Sequence, residues 1–539
     1  LSQVHRANVS TFALKSSLLV KLTSSSFSGI KTAKMYAESS LATATLTVLP
    51  KPRSKPKAGL RLWMQRVLEE CDSAAVDFSA DPVHDLRVAI RRCRSLADGL
   101  IPIDPNPDWK KMKRAARSLF SALGELRDKQ VLAEWVEKLF PAEDPPARKL
   151  LAFTESEQVR LKVTAHQELE RFDRKAWQRW SVELPRRLNF LRPGHIVFRH
   201  LALERWTQAL AAHRHAMRSR SATSLHQARI AIKRFRYTVE NFLPEQHRLW
   251  SDDLKELQDL LGEIHDLDVL WHVALQIHAF ANAEERTRWH RRILEERSNR
   301  LARYREKLNG KDGLWRVWRS QLPPENQVRA AALERLKVWA AFLDPNVAQS
   351  RRVSALASEL FHGLVAHRLI PAVHEKELHS ILELAALAHQ VKPVRDAESR
   401  PKVSARLLRI LPPPLGYSAH ELKLAAAVVR FHRGDLPSAS KKTMQQLERA
   451  DRRQVALLAG ILRLANVFAS ASSAAVTRLI TEERNRQLRI YAEGYRPSAA
   501  FAQQLATERY LLESVLRRAI LVRPFRKPAP KRPTLVRPR

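Results

Sequence analysis

The segment Val83-His84-Asp85-Leu86-Arg87-Val88-Ala89-Ile90-Arg91-Arg92-Cys93-Arg94 returns about 140 residues later as Leu225-His226-Gln227-Ala228-Arg229-Ile230-Ala231-Ile232-Lys233-Arg234-Phe235-Arg236. Both copies read H-x-x-R-x-x-x-[RK]-R-x-R. At about 100° per residue, His84, Arg87, Arg91 and Arg94 fall in one sector roughly 80° wide, opposite Leu86, Ala89, Ile90, Cys93 and Ala97. His226, Arg229, Lys233 and Arg236 sort the same way against Ala228, Ala231, Ile232 and Phe235. Like charges three and four residues apart repel by about a few tenths of a kcal/mol per pair, so each stripe needs compensation, and a polyanion would supply it. Taken singly, either stripe could be a solvated helix face. Solvent, however, makes no demand that the His, the cations and the intervening small residues recur together.

The flanking sequence repeats as well. A helix beginning near Leu60 precedes the first motif helix, which Pro82 can open and the Pro102 to Pro107 turn ends. A third helix from about Trp109 carries Leu123-Gly124-Glu125-Leu126-Arg127-Asp128-Lys129-Gln130. The second series has a helix from about Leu201, the second motif helix, a break at Pro244, and a helix from Trp250 carrying Leu261-Gly262-Glu263-Ile264-His265-Asp266-Leu267-Asp268. Long charged helices near Lys149 to Trp180 and Ala283 to Lys307 complete the two halves. The reading is one helical bundle duplicated in tandem with pseudo-twofold symmetry, its two basic stripes facing a shared cleft. Arg92 and Arg234, beside the stripes, and Arg117 and Lys255, matched on the third helices, add to the cationic set. Close helix approach is expected to offset the helix-weakening Gly124 and Gly262, and Asp128 and Asp266 are expected to hold motif Arg side chains.

Composition points the same way. Lys and Arg number 94 against 56 Asp and Glu, a formal net charge of +38, which suits a polyanionic partner. With only Cys71 and Cys93 there is no disulfide framework, in keeping with a reducing cytoplasm. Few glycines and abundant Ala, Leu, Arg and Glu favour helix. No apolar run reaches spanning length, so membrane insertion is not expected. Residues 1–34 resemble neither a signal peptide nor a core element, and Met35 is read as the start, with a transit peptide as the alternative.

The two motif helices, each followed by L-G-E-[LI]-[RH]-D, resemble the conserved-histidine α-helical domain, CHAD, over roughly Ala58 to Leu322. The resemblance implies two four-helix bundles around a basic surface that binds inorganic polyphosphate, with His84, Arg87, Arg91, Arg94, His226, Arg229, Lys233 and Arg236 as ligands. One departure is Asp128-Lys129-Gln130 in the first half against Asp266-Leu267-Asp268 in the second. The chemistry is apt by itself. Arg forks onto two phosphate oxygens, Lys adds a point charge, and His gains charge beside an anion. Metal ligation by His84 and His226 is disfavoured by the neighbouring cations.

Beyond Pro323-Pro324, the phrases Arg352-Val353-Ser354-Ala355-Leu356-Ala357-Ser358-Glu359-Leu360-Phe361, Arg430-Phe431-His432-Arg433 and Ile461-Leu462-Arg463-Leu464-Ala465-Asn466 resemble the C-terminal HD-type domain of the exopolyphosphatase/guanosine pentaphosphate phosphatase family. HD phosphohydrolases hold a divalent metal with His and Asp. Here the matching positions read His389-Gln390, Lys402-Val403-Ser404, Asn466 and Ala469, so a metal site is not expected. Lys402, Arg430, His432 and Arg433 remain as secondary anion contacts.

The expected organisation is therefore all-α: a disordered extension and linker at 1–57, a CHAD-like domain at 58–322 (halves 58–190 and 195–322), and a connector at 323–343. A degenerate HD-like helical domain at 344–498, a helix at 499–522 and a basic, Pro-rich disordered tail at 523–539 follow. The expected function is non-enzymatic polyphosphate binding without a cofactor, in the cytoplasm and on polyphosphate granules. A metal-dependent phosphohydrolase of polyphosphate or nucleotide phosphates is the first alternative. Nucleic-acid binding is the second, weakened by the lack of aromatics interleaved with the basic stripes.

Overall fold

The computed structural model describes residues 59–219, 221–308, 313–393, 398–470, 476–496 and 498–525. Residues 1–58, with the Met35 start and the linker, and residues 526–539 of the tail expected at 523–539 lie outside the described residues.

The first half runs α1 (Leu60–Val76), α2 (Ala80–Leu100), α3 (Asp108–Ala115), α4 (Arg117–Leu139), α5 (Pro145–Glu170) and α6 (Arg174–Arg187). The second runs α7 (Ile196–Ser219), α8 (Ala222–Phe242), α9 (Pro244–Gln276), α10 (Ala283–Leu308) and α11 (Leu314–Ser320). The repeat has two departures from the expected layout. The third helix breaks at Ala116 in the first half but is continuous as α9 in the second, where it starts at Pro244, just past the end of α8, and not at Trp250 as expected. The long helix expected through Trp180 ends at Glu170, and Asp173 caps a separate α6 by accepting from the Ala176 amide. Two buried carboxylates pin the loops. Asp104 accepts from the Trp109 indole at 2.8 Å and both forks of Arg187 at 2.7 Å, and Asp144 does the same work for Trp289 and Arg288.

The apolar faces of α1, α2, α7 and α8 merge into one core in which Leu86, Ile90, Cys93, Ile232 and Phe235 are fully buried. A second cluster, around Trp135, Phe140, Leu270 and Trp289, joins α4, α5, α9 and α10 away from it. The motif helices touch each other directly. Asn241 donates to Ser95 Oγ at 3.2 Å, Arg92 pairs with Glu240, and the Phe242 ring lies where a Cβ on Gly99 would overlap it. Gly99 is thus required by this close approach.

The remaining helices are α12 (Glu325–Ala341), α13 (Val347–Ala366), α14 (Glu375–Ala388), α15 (Arg400–Ile410), α16 (Ala419–Phe431), α17 (Lys442–Gln445), α18 (Arg449–Phe468) and α19 (Ala499–Leu516). Helix α12, expected as a connector, packs Val328 and Val338 on the first core and Leu336 and Trp339 in that of the following region. The Arg335–Glu204 ion pair at 2.9 Å and the hydrogen bond from His200 to the Leu415 carbonyl at 2.8 Å tie this region to α7.

The described residues are all-α apart from one small sheet that the sequence reading did not anticipate. Strands β1 (Arg478–Arg484) and β2 (Gln487–Glu493) pair antiparallel, from Arg478↔Glu493 to Arg484↔Gln487. Asn485 and Arg486, both at positive φ, form the two-residue hairpin turn. Strand β3 (Ala519–Pro524) adds parallel to β2. The helix expected over 499–522 therefore stops at Leu516, where Arg517 takes the left-handed conformation and its successors bury Ile520 against the sheet core. Among the described residues, no helix is long and apolar enough to cross a membrane.

Candidate anion-binding cleft

Helix α2 carries His84, Arg87, Arg91, Arg92 and Arg94; α8 carries their counterparts, started by a Ser221 cap that accepts from the Ser224 amide. Because α2 packs on α8, the two stripes fall within one electrostatic neighbourhood. Burial, reinforced by Arg229, Arg91, Arg87 and Arg236, holds the Lys233 ammonium down from 10.5 to about 8. Two of those four guanidinium groups belong to the other half. Burial is also the main cause that lowers Arg87, with Asp128 opposing it and Arg91 and Arg127 adding to it; Tyr237 of α8 lies within reach of the same group.

Acidic and imidazole groups of α4 and α9 line the same region. Asp128 stands 3.9 Å from Arg87, itself largely exposed. Asp266 is pushed up from 3.8 to about 6, chiefly by burial, with Arg229 opposing and Asp128 reinforcing, while Trp135 hydrogen-bonds it. The expected pairing of these aspartates with Arg87 and Arg229 is thus loose, which leaves the cations underneutralised. The His226 and His265 rings lie 4.8 Å apart, and burial holds His265 below the usual imidazole range.

Gly124 and Gly262 have a different role from helix contact. The nearest atom to a Cβ would be Arg87 Nη2 at 3.7 Å and Arg229 Nε at 4.0 Å, so each glycine lies beneath a motif guanidinium and no neighbouring backbone crowds it. The departure between the halves also has a physical form. Asp268 binds Arg297 at 2.8 Å, whereas Gln130 accepts from Arg127 and Lys129 lies over Phe153.

The expected ligands divide by environment. Arg87 and Lys233 sit together in the shared field, with Arg91, Arg229 and Arg236 around them. Arg94 donates to the Lys113 carbonyl at 2.9 Å and lies over Phe120, and Arg92 is held by Glu240 and Trp63. These two brace the fold. Arg234 lines a small cavity with Asp98 and Arg205. His84, Arg117 and Lys255 are exposed, and His226 is half-buried. Sequence reasoning missed Arg127, His265 and Tyr237 as neighbours of the motif cations. The first two stand at the [RH] position of the recurring L-G-E segment, which was the available signal.

In the C-terminal region, His432 is buried and donates to the Val429 carbonyl at 2.6 Å, with its imidazole pushed down to about 3, so it is not an anion contact. Its ring meets that of His389, itself bound to the Ala386 carbonyl. Asn466 donates to Leu462, Gln390 accepts from Arg400, and Val403 is buried. Two backbone-tied imidazoles with amides where carboxylates would stand do not fit a divalent metal. Among the described residues, no group of three His, Cys, Asp or Glu side chains is arranged to hold one. Arg433 is exposed, and Lys402 and Arg430 line a separate cavity.

Comparison with known families gives two matches: the CHAD domain over residues 60–275 and the Ppx/GppA phosphatase, domain III, over residues 328–519. Among solved structures, the CHAD domain from the plant Ricinus communis is 22% identical, with 49% of this chain and 90% of that one covered at a TM-score of 0.35. Comparison with curated proteins gives no match. The two matched segments, residues 60–275 and 328–519, follow one another along the chain without overlapping.

Proposed function

We propose that this protein binds inorganic polyphosphate, without hydrolysing it, in the cleft between α2 and α8. The observation that carries the reading is the packing of the two motif helices, which brings Arg87 and Arg91 of one half into the field of Lys233 and Arg229 of the other. Cations held this close are destabilised alone and relieved by a linear polyanion, which presents one charge per unit and no base edges. The weakly paired Asp128 and Asp266 do not neutralise them. Arg92 and Arg94 act in this reading by bracing the helices, and Arg234, Arg236, Arg117, Lys255, His84 and His226 extend the basic surface.

The Ppx/GppA domain III contributes a packed platform joined to α7 and, through Lys402, Arg430 and Arg433, further basic surface. Its substituted HD positions argue against hydrolysis there. The proposed location is the cytoplasm, with polyphosphate granules as the reservoir of ligand.

Competition of long-chain polyphosphate against RNA and DNA at matched phosphate concentration tests the reading. Preferential displacement by polyphosphate, with affinity falling steeply in salt as counterions are released, is expected. Equal or stronger competition by nucleic acid would overturn it. Release of orthophosphate from polyphosphate in the presence of Mg or Mn would instead make the protein a hydrolase.

A further inference from the structure

Consecutive helices α15 and α16 pack together and turn the same pattern toward each other: Lys402, Ala405, Arg406 and Arg409 on one, Lys423, Ala426, Ala427 and Arg430 on the other. Both sets follow i, i+3, i+4, i+7, one face of a helix. Between them lies a cavity of 480 Å³, bounded on a third side by Thr443, Gln446 and Leu447. The paired alanines, too short to fill the space, keep the trough open, and cations stand at its ends.

The charge is unbalanced. Among the described residues, five cations line the cavity against one carboxylate, Glu398, which binds Arg406 at 2.6 Å. Arg430 reaches outward to Asp435 at 2.7 Å, and Lys423 donates to the Gln446 carbonyl at 2.8 Å. Lys402 and Arg409, both exposed, make no ion pair among the described residues. A Lys and an Arg seven residues apart on one helix lie about 10 Å from each other, too far for one orthophosphate and suited to a few condensed units. The volume is that of a small-molecule pocket, not a polymer track. Among the described residues no aromatic side chain lines it, so a nucleobase would find nothing there to stack on.

We propose that the α15–α16 trough is a second binding site, separate from the α2–α8 cleft, for a short inorganic oligophosphate. The test uses the full chain carrying Arg87→Ala, Arg91→Ala, Arg229→Ala and Lys233→Ala, so that the cleft does not contribute. Titration calorimetry with tripolyphosphate is expected to find one remaining site, with orthophosphate about tenfold weaker or more. Adding Lys402→Ala and Arg409→Ala, at exposed positions, is expected to weaken tripolyphosphate about tenfold or more. Loss of all binding in the cleft variant, or binding unchanged by the Lys402 and Arg409 substitutions, overturns the site. ATP bound more tightly than tripolyphosphate overturns the inorganic assignment. Should the cleft variant not fold, stoichiometry in the otherwise unaltered chain serves instead. Two equivalents falling to one with Lys402→Ala and Arg409→Ala supports the trough, and an unchanged number refutes it.

Discussion

If polyphosphate binds as proposed, Lys233 should couple its own protonation to occupancy of the cleft. Burial comes first among the causes that hold it at about 8 instead of 10.5, followed by Arg229, Arg91, Arg87 and Arg236. A polyphosphate laid on these cations cancels their repulsion and raises the ammonium's pKa, so the complex holds more protons than the free protein above about pH 8. The added affinity is fully present below that pH and is lost as pH rises toward the value in the complex. Complete recovery would be worth about 3.5 kcal/mol at about 1.4 kcal/mol per unit. Burial persists in the complex, so about 1.4 kcal/mol, a tenfold weakening, is the expected fall between about pH 7.5 and 9.5. Titration calorimetry at constant ionic strength measures it, and buffers of different ionisation enthalpy report the proton uptake directly. Lys233→Arg, which stays charged, should flatten the curve. An affinity constant across that range in the unaltered protein, or an equal fall in Lys233→Arg, would refute the reasoning.

Other expectations follow from single environments. A Cβ at position 262 would make only an ordinary 4.0 Å contact with Arg229 Nε, so Gly262→Ala should gain about 1 kcal/mol from helix propensity and raise Tm; a lower Tm would show that Arg229 needs the bare backbone. Burial pushes His432 and His389 down from 6.5 to about 3 and about 4. The unfolded chain therefore takes up protons that the folded one refuses, and stability should fall as pH drops from about 6.5 toward 4. Urea unfolding checks the trend, and an imidazole of either residue titrating near 6.5 by NMR would contradict it.

The fold was legible where one periodicity dominated. Leu86, Ile90 and Cys93, set opposite the Arg stripe, announced α2, and the recurrence in α8 announced the pairing. What lay outside reach was the partner of each cation. Arg92 sits beside the stripe in sequence, yet Glu240, about 150 residues away, holds it. His432 looked basic and exposed between Arg430 and Arg433, but two residues along a helix is about 200° of rotation, which carries it from Arg430's face into the core. The sheet was concealed by composition. Leu488, Ile490 and Ala492 alternate with polar residues and are all buried, a period of two in a stretch whose Leu, Arg, Ala and Glu content favours helix. The α15 and α16 faces were readable as equal spacings, though nothing in the sequence said that they oppose one another.

The central claim concerns which cations carry affinity for polyphosphate. Val522 lies within β3, so the tail is best removed after Phe525, leaving the sheet intact. Long-chain polyphosphate binding should weaken far more in the chain with Arg87→Ala, Arg91→Ala, Arg229→Ala and Lys233→Ala than in the chain lacking residues 526–539. A truncated chain that loses most of its affinity while the fourfold variant keeps it would contradict the cleft.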